Sequence, residues 1–187
     1  CNWKGGNTST KCTLIDHAGR PQRVLWVKGS GSALADITRR DFVGLRLAEV
    51  EPLIERDAMS DAEMVDYLSR CVLHPSMPRQ SIETLLHAFI PYDYVDHTHP
   101  DSVIAFCTTD DGERLVKECF GERAVWIPYI RPGFTLARQV GLAVRENPQL
   151  EAVFLAKHGL VTWGRTAAEC YRNTIRIINE AAAFIEA

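Results

Sequence analysis

Strand-like segments and helical segments alternate along this chain, and their order restricts the fold to a sheet covered by helices. Hydrophobic periodicity and turn residues predict strands at 12–17, 22–28, 42–47, 94–99, 124–130 and 151–158, and the sheet continues through 159–163 after a bend. Helices are predicted at 60–73, 81–87, 101–107, 111–119, 134–146 and from 166 to the C-terminus. The predicted fold class is therefore α/β.

The composition indicates one domain that binds neither membranes nor nucleic acids. The 187 residues are 46% hydrophobic, which is enough to bury a sizeable core. The formal net charge is −3 and no long basic run occurs, so a nucleic-acid partner is not expected. No apolar stretch is long enough to span a membrane. The six cysteines form no CxxC pair, which predicts reduced thiols and a cytoplasmic location.

The N-terminus is abrupt, because the chain begins at Cys1 without an initiator Met and reaches a glycine-rich motif at once. We expect residues 1–187 to form a single domain that is truncated at its N-terminus or excised from a longer chain.

Three histidines form the most informative motif. His97 and His99 lie two residues apart in a predicted strand, so both imidazoles point to the same face. His158 follows a separate apolar strand and could complete a set of three ligands that leaves one coordination position open. Open three-ligand sites are typical of catalytic zinc. The alternative is that these histidines only pack or face solvent, which is costly for buried imidazoles without partners.

Polar residues elsewhere suggest an anion site. The segments 5–9 and 28–31 are glycine-containing turns that can aim backbone N–H groups at an anion. Together with Ser81 at a helix start, they would suit a phosphate monoester. Lys11 and Lys28 could add positive charge or simply be solvated. His87 lies one helical turn after Glu83, where packing or a supporting role is expected rather than metal binding.

The motifs together resemble the class II aldolase/adducin-head family. The matching segments appear in the family's order and are GGNTS at 5–9, KGSG at 28–31, SIETLLH at 81–87, DHTHP at 96–100 and KHGLVTWG at 157–164. The stretch 87–106 most resembles the aldolase portion of bifunctional rhamnulose-1-phosphate aldolase/short-chain dehydrogenase proteins.

This resemblance implies a three-layer α/β/α fold with a mainly antiparallel central sheet, assembled as a homotetramer with sites near the subunit interfaces. It implies zinc, or another divalent metal, bound by His97, His99 and His158. It also makes Glu83 the catalytic acid/base, whereas the residue alone would be read as a solvated glutamate in the first turn of a helix. The implied phosphate- and substrate-binding residues are Asn7, Ser30, Gly31 and Ser81.

The predicted reaction is reversible cleavage of a ketose 1-phosphate, such as rhamnulose 1-phosphate, to dihydroxyacetone phosphate and an aldehyde through a metal-stabilised enediolate. The alternatives are a sugar-phosphate 4-epimerase or metal-dependent dehydratase of the same superfamily, or a non-catalytic module like the adducin head. Glu83 favours the aldolase over the epimerases, in which other residues serve as acid and base. The intact histidines count against a non-catalytic module.

Overall fold

Seven strands form one sheet in the computed structural model, which describes residues 5–187. The strands are β1 (Asn7–Ile15), β2 (Pro21–Lys28), β3 (Phe42–Arg46), β4 (Tyr94–Thr98), β5 (Ala124–Ile127), β6 (Ala152–Leu155) and β7 (Gly159–Gly164). Their order is β3-β2-β1-β4-β7-β6-β5, and every neighbouring pair except β5 and β6 is antiparallel. The predicted truncation concerns Cys1, which lies outside the described residues.

Helices cover both faces of this sheet. They are α1 (Leu47–Val50), α2 (Asp61–Cys71), α3 (Thr84–Phe89), α4 (Asp101–Thr108), α5 (Gly112–Phe120), α6 (Phe134–Glu146) and α7 (Ala167–Glu186). One core cluster joins α1, α2, α3 and α6 to one face, and a second joins α4, α5 and α7 to the other. In β6, Val153 belongs to the first cluster and Phe154 to the second. The predicted three-layer fold with a mainly antiparallel sheet is confirmed.

The start of β1 differs from the prediction, because the strand begins at Asn7 rather than at residue 12. The glycine-containing, donor-rich segment 5–9 is predicted to be a turn, but residues 7–9 are part of the strand. These residues nevertheless pair with β4, where Asn7 lies opposite His97 and Ser9 opposite Val95. Pairing on both sides of β1 therefore overrides the low strand propensity of Asn and Ser.

Two other strands end earlier than predicted, and one helix begins later. The strand expected at 124–130 ends at Ile127, since Pro128 has no N–H for the ladder. The strand expected at 151–158 ends at Leu155, and His158 lies in the following turn, where Lys157 adopts a left-handed backbone with φ 55°. Helix α3 begins at Thr84, so Glu83 is its N-cap residue rather than a member of its first turn.

Four short elements were not predicted, namely α1 and the 3-10 helices Arg39–Asp41, Glu51–Glu55 and Gly121–Arg123. The capping box at Ser60 and Glu63 was predicted correctly, as was the cap that Thr166 provides for α7. Within 5–187, no helix is both long enough and apolar enough to cross a membrane.

Candidate active site

The three predicted histidines meet at one point in the fold. His97 lies on β4, and His99 follows directly after the strand ends. Because β4 and β7 are antiparallel neighbours, the turn before β7 brings His158 to the same end of β4. The Nε2 atom of His97 lies 2.9 Å from Nε2 of His99 and 3.2 Å from Nε2 of His158. One ligand atom from each histidine falls within 4.8 Å of those of the other two.

This spacing suits a bound cation better than hydrogen bonding among the rings. Two nitrogen ligands of a tetrahedral zinc ion lie about 3.3 Å apart when each Zn–N bond is about 2.0–2.1 Å. The Nδ1 atom of His97 lies 2.9 Å from the carbonyl oxygen of Leu160. In the tautomer that carries its proton on Nδ1, His97 donates this N–H to the carbonyl oxygen. Its Nε2 atom then has a free lone pair that faces the other two histidines. The donor set therefore fits a divalent metal ion.

Glu83 lies at the same point. Its Oε1 atom is 3.1 Å from Nε2 of His97 and 3.1 Å from Nε2 of His158. This buried oxygen has no hydrogen-bond partner among residues 5–187, which is expected of an atom that faces a metal ion. Its other oxygen, Oε2, accepts a hydrogen bond of 2.6 Å from Nδ2 of Asn7. The interpretation of Glu83 as an ordinary solvated glutamate is therefore wrong, since the side chain is only 10% exposed.

The electrostatics of the cluster keep Glu83 ionised. Burial acts to raise the pKa of the Glu83 carboxyl, but the adjacent His97 and His158 imidazoles, when protonated, outweigh burial and hold that pKa well below its usual range. Burial, together with the charges of His97 and His158, lowers the pKa of His99 to about 4. An imidazole that is neutral at pH 7 has a lone pair available for a metal.

The backbone around residue 81 places Glu83. The Glu83 N–H donates to the hydroxyl of Ser81 at 3.2 Å, and the Thr84 N–H donates to the Ser81 carbonyl at 3.1 Å. Every residue of α3 is buried, so the helix cannot rotate without exposing apolar surface. Ser81 thus supports the turn that carries Glu83, and its predicted phosphate contact stays a prediction.

Two glycines make room for the His99 ring. A Cβ atom on Gly159 would lie 2.5 Å from Cδ2 of His99 and 2.6 Å from the Thr98 carbonyl oxygen. A Cβ atom on Gly5 would lie 2.9 Å from Nδ1 of the same ring. All three distances are shorter than nonbonded contacts allow, so the ring fits only because both neighbours lack a side chain.

The remaining predicted phosphate residues are distributed around the site. Ser30 and Gly31 are exposed in the loop after β2, and the Ser30 N–H donates to the Arg79 carbonyl at 2.9 Å, which holds the loop beside the segment that leads to Ser81. Asn7 is 3% exposed and contacts Glu83. Binding of phosphate by these residues stays a prediction.

Both lysines for which solvation was considered are buried. Nζ of Lys28 donates to the carbonyl oxygens of Ser32 at 2.6 Å and Gly29 at 3.1 Å, so this side chain shapes the loop. Lys11 is 5% exposed, and its Nζ donates to the carbonyl oxygen of Ile90 just after α3. A cavity of about 480 Å³ lies beside Lys11, four residues along β1 from Asn7. Burial lowers the pKa of Lys11 to about 8.

One buried hydrogen-bonded pair beside the site was not predicted from the sequence. The Ser9 hydroxyl and Nδ1 of His87 lie 2.7 Å apart, and both residues are buried. Residues 7–11 are all polar, so no alternation in the sequence marks this pair, and positions 7, 9 and 11 share one face only once the segment is known to be a strand. The expectation of a supporting role for His87 agrees with this position.

The fold agrees with comparison to known proteins. The sequence matches the family described as Class II Aldolase and Adducin N-terminal domain over residues 1–185, so the chain belongs to that family and the predicted family is confirmed. A protein of Bacillus subtilis (strain 168) named "Uncharacterized oxidoreductase YuxG" is 55% identical over 185 residues. The match covers 99% of this chain but 27% of that protein, so the chain spans about a quarter of this curated relative.

Solved structures give the same result. The N-terminal class II aldolase domain of a conserved protein from Thermoplasma acidophilum is 43% identical with a TM-score of 0.89, and the match covers 97% of this chain and 84% of that one. A sugar-phosphate aldolase from Thermotoga maritima is 16% identical with a TM-score of 0.67, over 98% of this chain and 85% of that one. The second similarity shows a shared fold.

The glycine beside His99 can be tested by adding one methyl group. We expect Gly159→Ala to weaken metal affinity by about 10-fold or more, since loss of the support around a metal ligand reduces affinity by this order. The matched control is Gly44→Ala on the edge strand β3, whose added methyl would lie 2.8 Å from Cδ1 of Leu73 and so strains the core away from the histidines and α3. Competition with a chelator measures the affinity, which should equal that of wild type in the control. A wild-type affinity in Gly159→Ala as well would contradict the role given to Gly159.

The buried lysine gives a pH-dependent expectation. The folded protein releases the Lys11 proton near pH 8, whereas the unfolded chain keeps it up to about 10.5, so wild-type stability rises between these values. Below about pH 8 we expect Lys11→Met to have a larger free energy of unfolding than wild type. This difference should fall by up to about 3 kcal/mol as the pH rises to about 10.5. Urea unfolding at about pH 7.5 and about pH 10 measures this difference.

The control for this test is Lys117→Met, which replaces an exposed lysine of α5 by the same residue. Its stability difference from wild type should not change between the two pH values. A pH-independent difference for Lys11→Met would contradict the effect of burial on the Lys11 ammonium.

Proposed function

We propose that this chain is a zinc-dependent class II aldolase domain that reversibly cleaves a ketose 1-phosphate to dihydroxyacetone phosphate and an aldehyde. The observation that carries the proposal is the position of Glu83, whose Oε1 lies 3.1 Å from two imidazole nitrogens of a three-histidine cluster. A carboxylate at an open three-histidine site can act as acid and base beside a metal-polarised carbonyl. Membership of the class II aldolase family supports the same reading.

His97, His99 and His158 would hold the cation. As neutral ligands they leave its double positive charge intact, and the Glu83 carboxylate reduces the local sum to a single positive charge. When bound, the cation supplies Lewis-acid stabilisation of the negative charge that develops on the substrate oxygens. Zinc is proposed because imidazole suits it and no redox role is indicated.

Glu83 would move the proton. In synthesis the ionised Oε1 would remove a proton from the hydroxymethyl carbon of dihydroxyacetone phosphate, and the new hydroxyl group would gain one proton as the carbon–carbon bond forms. In cleavage the hydroxyl that becomes the aldehyde loses one proton as that bond breaks, which replaces the proton that Oε1 would return to the hydroxymethyl carbon. Burial raises the pKa of Glu83, whereas positive charge at the histidine cluster lowers it. Moving Oε1 away from that charge would therefore raise the proton affinity of the carboxylate at the moment when it must accept a proton.

The phosphate group would be held by the loop after β2 together with Ser81. Exposed Ser30 and Gly31 offer backbone N–H and hydroxyl donors, and the nearby Lys28 ammonium is anchored within that loop. Fixing the phosphate would place the reacting carbons relative to Glu83, and positioning of this kind contributes strongly to rate. The proposed substrate is rhamnulose 1-phosphate. The proposed assembly is a homotetramer.

A substrate screen tests the reaction. The zinc-loaded chain should release dihydroxyacetone phosphate from L-rhamnulose 1-phosphate or L-fuculose 1-phosphate, which a coupled glycerol-phosphate dehydrogenase assay detects. Epimerisation of a pentulose 5-phosphate without such release would contradict the aldolase proposal and favour the 4-epimerase.

Substitution of the proposed acid/base tests its role in that reaction. We expect Glu83→Gln to retain zinc and to lower kcat by about 10²–10⁴-fold, which is the usual contribution of general acid–base catalysis. Glu113→Gln, at an exposed position in α5, is the matched control and should keep wild-type kcat. Normal turnover by Glu83→Gln would remove Glu83 from the mechanism.

A further inference from the structure

Three buried polar side chains of β1 face helix α3 and the residues at its two ends. Asn7 donates to Glu83 at 2.6 Å, the Ser9 hydroxyl lies 2.7 Å from Nδ1 of His87, and Lys11 donates to the carbonyl oxygen of Ile90. Alternate residues of a strand are about 6.7 Å apart, and one helical turn rises about 5.4 Å. Because the contacts follow the same order along both elements, the strand and the helix run in the same direction. The similar spacings let each polar residue of β1 contact a successive turn of the helix.

These hydrogen bonds are not needed to hold α3 on the sheet. Leu85, Leu86 and Phe89 are each at most 1% exposed and pack into the core cluster on this face. Burial of such side chains contributes about 1.5–3 kcal/mol each, whereas a hydrogen bond contributes about 1 kcal/mol net. Buried polar contacts are directional, however, and they fix how far the helix slides and where an individual side chain points.

The contact at Asn7 is specific to one carboxylate oxygen. Asn7 holds Oε2 of Glu83, while Oε1 of the same group lies 3.1 Å from the imidazoles of His97 and His158. Asn7 can reach Oε2 because it lies directly opposite His97 in the neighbouring strand. If this donor is removed, the carboxylate can rotate about its terminal torsion, which is intrinsically soft.

We propose that Asn7 is a positioning residue, whose amide fixes Oε2 of Glu83 so that Oε1 faces the three histidines. The inference rests on the proposed function and gives Asn7 a role different from the predicted phosphate contact. Asn7 is 3% exposed, and its amide already donates to Glu83, whereas Ser30 and Gly31 are exposed. During turnover the bond to Oε2 acts as a pivot, about which Oε1 leaves and rejoins the histidines.

The test combines a spectroscopic measurement with kinetics. Cobalt(II) is loaded in place of zinc into wild type, Asn7→Ala and Glu83→Gln, and visible absorption of the substrate-free proteins reports the ligands around the ion. We expect the spectrum of Asn7→Ala to shift towards that of Glu83→Gln. We also expect kcat to fall by about 10²-fold with KM within about twofold of wild type, because positioning affects the reacting group and not substrate affinity.

Controls separate this role from general damage. Asn173→Ala removes an amide that donates to the Trp163 carbonyl at 3.0 Å on the other side of the sheet, and it should leave both the spectrum and kcat unchanged. Asn7→Ala introduced into Glu83→Gln should lower kcat no further, since residues that act through one group are not additive. If Asn7→Ala does not fold, Asn7→Leu removes the same donor with little change of shape and no added charge.

The outcomes are distinct. An unchanged cobalt spectrum in the Asn7 variants overturns the proposal, whatever the kinetics show. A raised KM and weaker inhibition by inorganic phosphate, with the spectrum and kcat unchanged, would assign Asn7 to the phosphate instead. A wild-type chain that binds no cobalt contradicts the proposed function, which separates the failure of that function from the failure of this inference.

Discussion

The close approach of three imidazole nitrogens and one carboxylate oxygen is the constraint on which the rest of this structure depends. Nε2 of His97 lies within 3.2 Å of Nε2 of His99, Nε2 of His158 and Oε1 of Glu83. Lone pairs at such distances repel one another unless a cation or a proton lies between them. The surrounding elements hold these groups together in a buried position, which is costly without a ligand and favourable with one.

Several features of the fold are explained by this constraint. The Leu160 carbonyl orients His97, and the adjacent strands β4 and β7 supply both the histidine and the carbonyl. Glycines at 5 and 159 leave room for His99, and the left-handed Lys157 turns the chain so that His158 points back to the site. On the opposite side, β1 fixes α3 and with it Glu83. Each of these contacts orients one of the residues that would bind the metal ion.

The sequence predicted much of this arrangement and missed its supports for identifiable reasons. Alternation along a strand correctly paired His97 with His99, and capping residues correctly located α2 and α7. Asn7 lies in a polar segment that is typical of a turn, although the structure places it on a buried face of a strand. The roles of Gly159 and Leu160 depend on contacts across strands, which no local pattern encodes.

X-ray absorption spectroscopy of the zinc-loaded protein tests the central claim most directly, because it counts and identifies the ligands of the ion. We expect one zinc ion per chain with three imidazole nitrogens at about 2.0–2.1 Å and at least one oxygen ligand. His99→Ala should lower the number of imidazole ligands or abolish binding. A wild-type protein that binds no divalent metal, or a ligand shell without several imidazoles, would contradict the account.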